Sequence, residues 1–522
     1  MSHMKHPGLF GSAFSDWCGR RSAFWAVAVL ALGVAGAGML IFGAPVPFIS
    51  DEFANLFAGE TFSHLRLSYP SPPSPESFWS PHILVEPRFA SKYPPGQGLL
   101  LGLGYIFGEP SIGLIIGAVI CALSLFWTLR GFTSADVAFV VTCGFIVSVL
   151  YLSDWTRTFM GGMVAFSASA LVIGSVLRIS KAQGNWLSFL ALGFGIGWLM
   201  LSRPFEGGIV VLLLGIFYSR DLLRFCSLRN RKDLLTATTL VALPICAAII
   251  FQGSINQAVT GSYLRLPHAE FHAQYMNLPV LTWQDPIPAR KSDTRLSAVE
   301  NILWNSGSWI EHVAASIRGS LTAAKAIGGP ALPWLIILSL PFICLKNWRL
   351  VAVLAGFPMF HAFSNYLDFH PYFSPVAPIW YLMVASMLFE LCRHTRFLAI
   401  KCAYVLLLLG ALGIPRFIED SAPHRFTHRT DLIKGLAARA PSLVFVSYAA
   451  ELNPHLNVVY NEPQLKSPII FVNDLDEVAN CQVLRAFPDR ETWRVMIEER
   501  RFDAVLVERE SICTSAALGA ST

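Results

Sequence analysis

Residues 20–53 read RRSAFWAVAVLALGVAGAGMLIFGAPVPFISDEF, and this stretch decides the fold class. An apolar run, Ala23 to Phe42, follows two arginines and precedes a pair of carboxylates, Asp51 and Glu52. About twenty apolar residues cross a hydrocarbon core about 30 Å thick, so the run predicts a membrane-spanning helix. A signal peptide would have a shorter apolar core and a better small-residue cleavage site. We therefore expect an uncleaved span with two acids just beyond its end.

The composition of the whole chain indicates the same class. Of its 522 residues, 54% are hydrophobic and only 14% are charged, and the mean hydropathy is +0.52. A soluble chain has about a quarter charged residues. The net charge of +5 does not indicate nucleic-acid binding, because the basic residues gather in short loops and form no stripe interleaved with aromatic residues. The chain is predicted to be an α-helical polytopic membrane protein with no nucleic-acid partner.

Ten further segments read as spans, which makes eleven transmembrane helices in total. They are residues 98–129 with a break expected at Pro110, 135–152, 160–178, 185–202, 207–218, 234–253, 331–345, 350–367, 375–390 and 397–414. Alternate loops hold the excess of Lys and Arg, from Arg130 to Arg396, and the positive-inside rule assigns these loops to the cytoplasm. The N-terminus is then cytoplasmic, and an odd number of spans leaves the C-terminus outside.

Three stretches on the outer side are too polar to be spans: residues 44–97, 254–330 and 415–522. In the first, Phe53, Leu56 and Phe57 recur at helical spacing after Asp51. This spacing predicts an amphipathic helix in the membrane interface with its apolar face towards the lipid.

The tail, residues 415–522, is predicted to be a small α/β domain. Its β-rich runs are Ser442 to Tyr448, Ile469 to Val472 and Ala504 to Val507, and its helical segments are Asp431 to Arg439 and Arg490 to Arg501. Cys481 and Cys513 share this outer side, and a disulfide between them is left open. The rest of the chain, residues 1–414, is predicted to form the transmembrane domain.

An acid pair at the exit of the first span, an amphipathic loop and a basic residue just before the second span resemble the GT-C superfamily of integral membrane glycosyltransferases. The resemblance is closest to the bacterial branch that includes the aminoarabinose and protein mannosyl transferases. Landmarks similar to one bacterial subgroup are SKYPPGQG (91–98), FMGG (159–162), SRPFEG (202–207) and VTGS (259–262), and in the tail LVFVSY (443–448), NPH (453–455) and VYN (459–461).

This resemblance implies a glycosyltransferase of the bacterial inner (plasma) membrane with a periplasmic C-terminal domain. It would transfer a hexose or pentose, with inversion, from a polyprenyl-phosphate donor to a glycolipid, cell-envelope polysaccharide or protein acceptor. The residues leave retention open, in which Asp51 or Glu52 would attack the sugar carbon directly. No nucleotide-binding or hydrolase motif in a credible context suggests another chemistry. No cofactor is expected, although a divalent metal is left open.

The acid pair supplies the expected catalytic residues. Asp51 is the candidate general base, because members of the family carry an acid at this place, and Glu52 is the reserve. Neighbouring side chains on a helix diverge by about 100°, so only one of the pair can aim at a given atom. Helix N-capping is the alternative role for Asp51, and a favourable interaction with the helix dipole is the alternative for Glu52.

Donor phosphate binding is assigned to Lys92, with Arg88 and Arg203 as further candidates, and substrate binding to Tyr93, Glu206, His370 and Tyr372. Lys92 could instead be an interfacial anchor, and Arg203 with Glu206 could instead lock a turn. Pro371, between His370 and Tyr372, departs from the pattern of the subgroup.

The pair His268 and His272 has a spacing that would allow metal binding on a helix, but no third ligand follows at a suggestive spacing. A surface pair is the favoured interpretation, so no metal site is assigned. The rival class is a transporter or flippase of lipid-linked saccharides. It predicts repeated halves and polar groups near the midplane, whereas the conspicuous charges lie at span ends.

Overall fold

The computed structural model describes residue 9 and residues 12–151, 154–227, 229–285, 308–365, 370–394, 428–439, 441–449, 457–498 and 502–513. Most of this is helical. The helices before the tail are α1 Ser12–Cys18, α2 Ser22–Phe42, α3 Ser50–Ser63, α4 Pro95–Ile106, α5 Pro110–Arg130, α6 Ala135–Phe145, α7 Gly162–Ser180, α8 Trp186–Met200, α9 Pro204–Ser227, α10 Arg231–Thr260, α11 Pro267–Tyr275, α12 Trp309–Gly328, α13 Leu332–His361 and α14 Ala377–His394.

Four of the described helices, α2, α5, α7 and α10, are long and apolar enough to cross a membrane. Helix α12 and the first part of α13, bent by 112° at their junction, add a fifth candidate span. The protein is therefore a multi-pass membrane protein, but the predicted count of eleven is not confirmed. The predicted span 397–414 lies outside the described residues. The expected break is confirmed, since α4 ends at Ile106 and α5 begins at Pro110, where proline suits a first helical position.

Basic residues assigned to the cytoplasmic side do lie close together. The Lys181 ammonium donates to the Gly131 carbonyl at 3.2 Å, and the Arg178 guanidinium lies 3.8 Å from the centre of the Trp127 ring. Arg130 donates to the carbonyl of Gly19, just before the first span, at 2.6 Å. These cations therefore share one end of the helix bundle.

Helix α3 packs on the protein rather than on lipid, which corrects the expectation for its apolar face. Phe57 is buried, with its ring centre 4.7 Å from that of Phe89 in the same outer loop. The crossing of α3 with α4 is very close, because a Cβ atom on Gly98 would lie 2.7 Å from Ala58 Cβ. The amphipathic helix is thus a buried support for the outer loop.

The outer loop places two polar residues side by side through a short hairpin. Strands β1 (Ile83–Leu84) and β2 (Ala90–Ser91) pair antiparallel. His82 precedes β1 and Lys92 follows β2, and the Lys92 amide donates to the His82 carbonyl at 3.1 Å. His82 has a φ of 70°, in the left-handed region that few non-glycine residues adopt.

The described tail is an α/β unit, as predicted. It contains α15 His428–Leu436, β3 Ser442–Tyr448, β4 Ile469–Asn473, α16 Glu477–Ala486, β5 Glu491–Ile497 and β6 Phe502–Leu506. The sheet order is β4-β3-β5-β6, with β3 parallel to both neighbours and β6 antiparallel to β5. Cys481 and Cys513 form a disulfide. The proposed domain boundary near residue 415 lies outside the described residues.

One element of the tail was predicted wrongly. Residues 490–501 were expected to be helical, but most of them form β5. The segment ETWRVMI contains Thr, Trp, Val and Ile, which favour strands, and its pairing with β3 across the whole of its length outweighs the helical pattern of charges.

The tail and the first outer loop share one apolar core. The Tyr460 ring stacks on Phe53 of α3, with ring centres 3.9 Å apart and planes within 3°. The Asn473 amide donates to the Trp79 carbonyl at 2.9 Å and faces the Ser77 carbonyl at 3.3 Å. The tail therefore lies directly on the helix that carries Asp51.

Candidate active site

Asp51 lies in the first turn of α3 with its carboxylate directed at the outer loop. It accepts a hydrogen bond from the Tyr93 hydroxyl, and its Oδ2 lies 3.5 Å from His82 Nε2. Its predicted alternative role as an N-cap is wrong, because the N-cap residue is Ile49. Burial would raise the pKa of Asp51, but the charge and hydrogen bond of His82, the Tyr93 hydroxyl and the Lys92 charge together hold that pKa below its ordinary value.

Glu52 has a different environment from its neighbour. Its Oε2 accepts from the amides of Phe48 and Ile49 at 2.7 and 3.1 Å, and its Oε1 accepts from the Thr158 hydroxyl and the Phe159 amide at 2.7 and 3.0 Å. The side chain is only 4% exposed. The first two bonds cap the start of α3, and the other two hold it against the segment before α7, so this carboxylate is fully occupied within the protein.

Lys92 is a buried ammonium, 5% exposed, beside this carboxylate. Within the described parts of the chain it has no hydrogen-bond acceptor, and no carboxylate oxygen lies within 4 Å. Its Nζ lies 4.6 Å from the centre of the Phe271 ring and 5.3 Å from that of Tyr93. Burial lowers the pKa of Lys92 to about 8, while the charge of Asp51 opposes this. A buried cation that lies against aromatic rings, with no acceptor among the described residues, suits an anionic ligand.

Arg203 and Tyr372 complete the group. The Arg203 guanidinium lies 4.7 Å from the centre of the Tyr372 ring. Burial raises the pKa of Tyr372 to about 12, with Arg203 opposing and the charges of Asp51 and Glu206 adding to the rise. The Gly96 amide donates to the Leu201 carbonyl at 2.6 Å, which joins the segment after Lys92 to the turn that carries Arg203. The structure thus brings Asp51, Lys92, Tyr93, Arg203 and Tyr372 to one site.

The remaining predicted residues differ in their positions. Glu206 is buried in the first turn of α9, and its carboxylate is not within 4 Å of the Arg203 guanidinium, so this pair does not lock the turn. The Arg88 Nε donates to Ser68 Oγ at 3.2 Å, which directs Arg88 towards the end of α10 instead of towards Asp51. The His370 side chain lies outside the described part of the structure.

Three histidines at the site were missed or misjudged. His82 was not predicted, because its approach to Asp51 depends on the hairpin. His268 and His272 are stacked, with ring centres 4.3 Å apart, and are partly buried. Burial, together with the charges of Lys92 and His82, lowers the pKa of both His268 and His272. Both are therefore uncharged neighbours of the site. The surface-pair interpretation is therefore wrong.

Among the described residues no three His, Cys, Asp or Glu side chains are arranged to hold a metal ion.

Two further sequence landmarks meet beside this site. Gly161, with a φ of 84°, packs on Gln97, and Gly162 packs on Trp155 and Ser374. The motifs at 91–98, 159–162 and 202–207 thus converge, together with the turn that carries Tyr372. Their glycines allow the backbone segments to approach closely.

No protein-family model and no curated protein sequence matches this chain. Solved structures do share its fold. ArnT from Cupriavidus metallidurans, solved with bound undecaprenyl phosphate, is similar over 91% of this chain and 92% of its own, with 12% identity and a TM-score of 0.50. The Archaeoglobus fulgidus oligosaccharyltransferase is similar over 88% of this chain, with 13% identity and a TM-score of 0.47, and this chain covers 66% of that enzyme.

ArnT is a GT-C glycosyltransferase. The likeness to ArnT extends over nearly the whole of both chains. The chain therefore has the GT-C fold, as the resemblance in its sequence implied.

Proposed function

We propose that this protein is a membrane glycosyltransferase that transfers a sugar from a polyprenyl-phosphate donor to an acceptor hydroxyl outside the cytoplasm. The observation that carries the proposal is the buried Lys92 ammonium, which has no acceptor among the described residues and lies beside the Asp51 carboxylate. The GT-C fold supports the choice of chemistry, and ArnT was solved with undecaprenyl phosphate bound.

Lys92 and Arg203 would bind the donor phosphate. Burial makes the Lys92 charge a strong attractor for an anion, and the planar Arg203 guanidinium can bind two phosphate oxygens. The Arg203 guanidinium stacks on the Tyr372 ring, and this ring would keep it in place. Arg88, directed towards Ser68, is omitted from this role.

In the reaction the acceptor oxygen forms a bond to the anomeric carbon as the bond from that carbon to the phosphate oxygen breaks. Asp51 takes the proton of the acceptor hydroxyl, and polyprenyl phosphate leaves with its added negative charge on the two cations. A single displacement of this kind inverts the anomeric configuration. Glu52, with four hydrogen bonds already made, would hold the start of α3 and not act as a base.

The donor would also adjust the base. In the free protein the cations near Asp51 lower its pKa, which keeps it ionised but makes it a weak proton acceptor. A bound phosphate would offset the charge of Lys92, which is the smallest of the effects that lower the pKa of Asp51, so that pKa would rise.

The test is a glycolipid and envelope-glycan profile of a deletion strain complemented with wild type, Asp51→Asn or Asp233→Asn. Asp233 is the matched control, because it is an exposed aspartate in the first turn of α10 and pairs with Arg229, which precedes that helix. We expect one sugar to be missing from the deletion and Asp51→Asn strains and restored by wild type and Asp233→Asn. Restoration by Asp51→Asn would contradict the mechanism, and an unchanged deletion profile would contradict the function.

A further inference from the structure

Two buried polar residues that the proposed chemistry does not use lie where the sequence motifs converge. Gln97 is 6% exposed and Ser374 is fully buried. Both amide atoms of Gln97 and the Ser374 hydroxyl lack a hydrogen-bond partner among the described residues. Burying a polar group without a partner is unfavourable, and native proteins leave few such groups. Two side chains at this place thus leave three polar atoms available to a ligand.

Two consecutive glycines bring these side chains together. A Cβ atom on Gly161 would lie 3.3 Å from Gln97 Oε1, and one on Gly162 would lie 3.1 Å from Ser374 Oγ. Gln97 and Ser374 therefore face the same short piece of backbone. The absence of side-chain atoms on both glycines lets the two polar side chains pack closely against this backbone.

The same two residues adjoin the proposed reaction site. Gln97 is in the first turn of α4, four residues after Tyr93, whose hydroxyl binds Asp51. Ser374 follows Tyr372, on which Arg203 stacks, by two residues. A donor with its phosphate on Lys92 and Arg203 would thus extend its sugar towards this pair.

We propose that Gln97 and Ser374 form the subsite for the sugar of the donor, and that this sugar is uncharged where they contact it. The proposal rests on the proposed function. A primary amide and a hydroxyl both donate and accept hydrogen bonds, so together they match neighbouring hydroxyl groups of a sugar ring. Neither group suits the isoprenoid chain, and the phosphate is better matched by the cations. Gln97, with three rotatable side-chain bonds, turns towards the sugar when the donor enters.

The experiment uses the full-length protein in lipid nanodiscs and compares binding of undecaprenyl phosphate with binding of its glucosyl, mannosyl and arabinofuranosyl derivatives. We expect wild type to bind at least one sugar-bearing lipid about tenfold more tightly than the bare lipid. Gln97→Met and Ser374→Ala should each reduce this preference about threefold to tenfold and leave binding of the bare lipid unchanged. Gln97→Asn, which keeps the amide, should retain part of the preference.

Gln252→Met and Ser175→Ala are the matched controls. Gln252 donates to Asn256 Oδ1 at 2.9 Å, and Ser175 donates to the Leu171 carbonyl of its own helix at 2.7 Å. Both should keep the wild-type preference. The subsite is overturned if Gln97→Met and Ser374→Ala also keep it, or if wild type prefers none of the sugar lipids. Failure of wild type to bind undecaprenyl phosphate at all would overturn the proposed function as well.

Discussion

The Tyr93 hydroxyl donates a hydrogen bond to the Asp51 carboxylate, and Lys92, the residue before Tyr93, is the buried cation of the same site. The dipeptide therefore serves both proposed halves of the reaction. One side chain orients the base, and its neighbour attracts the phosphate. The hairpin of the outer loop fixes both, since the Lys92 amide is bonded to the His82 carbonyl.

Replacing Tyr93 with Phe should slow turnover about tenfold and change its pH dependence. The hydroxyl stabilises ionised Asp51, so its removal raises the pKa of Asp51. The acidic limb of the profile of kcat/KM against pH should then move to higher pH. Tyr263→Phe, at an exposed position, is the control and should behave as wild type. An unchanged acidic limb in Tyr93→Phe would show that this hydrogen bond does not act on the base.

Donor binding should weaken as the pH rises through about 8, because the pKa of Lys92 in the free protein is lowered by burial to about 8. Below that pH the ammonium is charged and attracts the phosphate, and above it the cation is lost. The dissociation constant of undecaprenyl phosphate, measured from pH 6.5 to 9.5, should increase over this range. Lys92→Arg keeps the charge and should remove the dependence, whereas Lys92→Met should bind weakly at every pH. A flat wild-type profile would contradict this role of Lys92.

Glu52→Gln should destabilise the protein by about 1 to 3 kcal/mol without the specific loss of turnover expected from Asp51→Asn. A glutamine amide cannot accept the backbone bonds on both of its ends, so one of the segments at Phe48 or Phe159 loses its partner. The melting temperature of the full-length protein should fall for Glu52→Gln, and turnover per folded molecule should fall far more for Asp51→Asn than for Glu52→Gln. If turnover instead fell more for Glu52→Gln than for Asp51→Asn, the roles of the two acids would be exchanged.

The sequence could separate these acids only in part. The sequence showed that both acids follow the first span and that neighbouring side chains on a helix diverge. It did not show that residues 158–159, more than 100 residues away, donate hydrogen bonds to Glu52. His82 reaches Asp51 only because Ile83 pairs with Ser91, a register that local pattern does not reveal. For the same reason β5 was misread, since its pairing with β3 is non-local. The first span, the break before Pro110 and the strands β3 and β4, which depend on local hydropathy, proline and strand propensity, were predictable.

A second pair of acids, Glu60 of α3 and Glu462 of the tail, should make the stability of the protein depend on pH. Near the end of α3 the Gln464 amide contacts His64 Nε2 at 2.8 Å. Burial, with the charge of Glu462 nearby, raises the pKa of Glu60 from 4.5 to about 7. An acid with a raised pKa in the folded state stabilises that state fully below its ordinary pKa, and this contribution is lost as the pH rises to about 7.

The melting temperature of wild type should therefore fall between pH 5 and pH 8 through this pair. Glu60→Gln removes the ionising group, so it should melt higher than wild type at pH 8 and lose this part of the pH dependence. Glu491→Gln, at an exposed position in β5, is the matched control and should follow wild type. If Glu60→Gln follows the wild-type curve at both pH values, the carboxyl pair does not contribute to docking, and the contact of Tyr460 with Phe53 and the bonds of Asn473 would account for it alone.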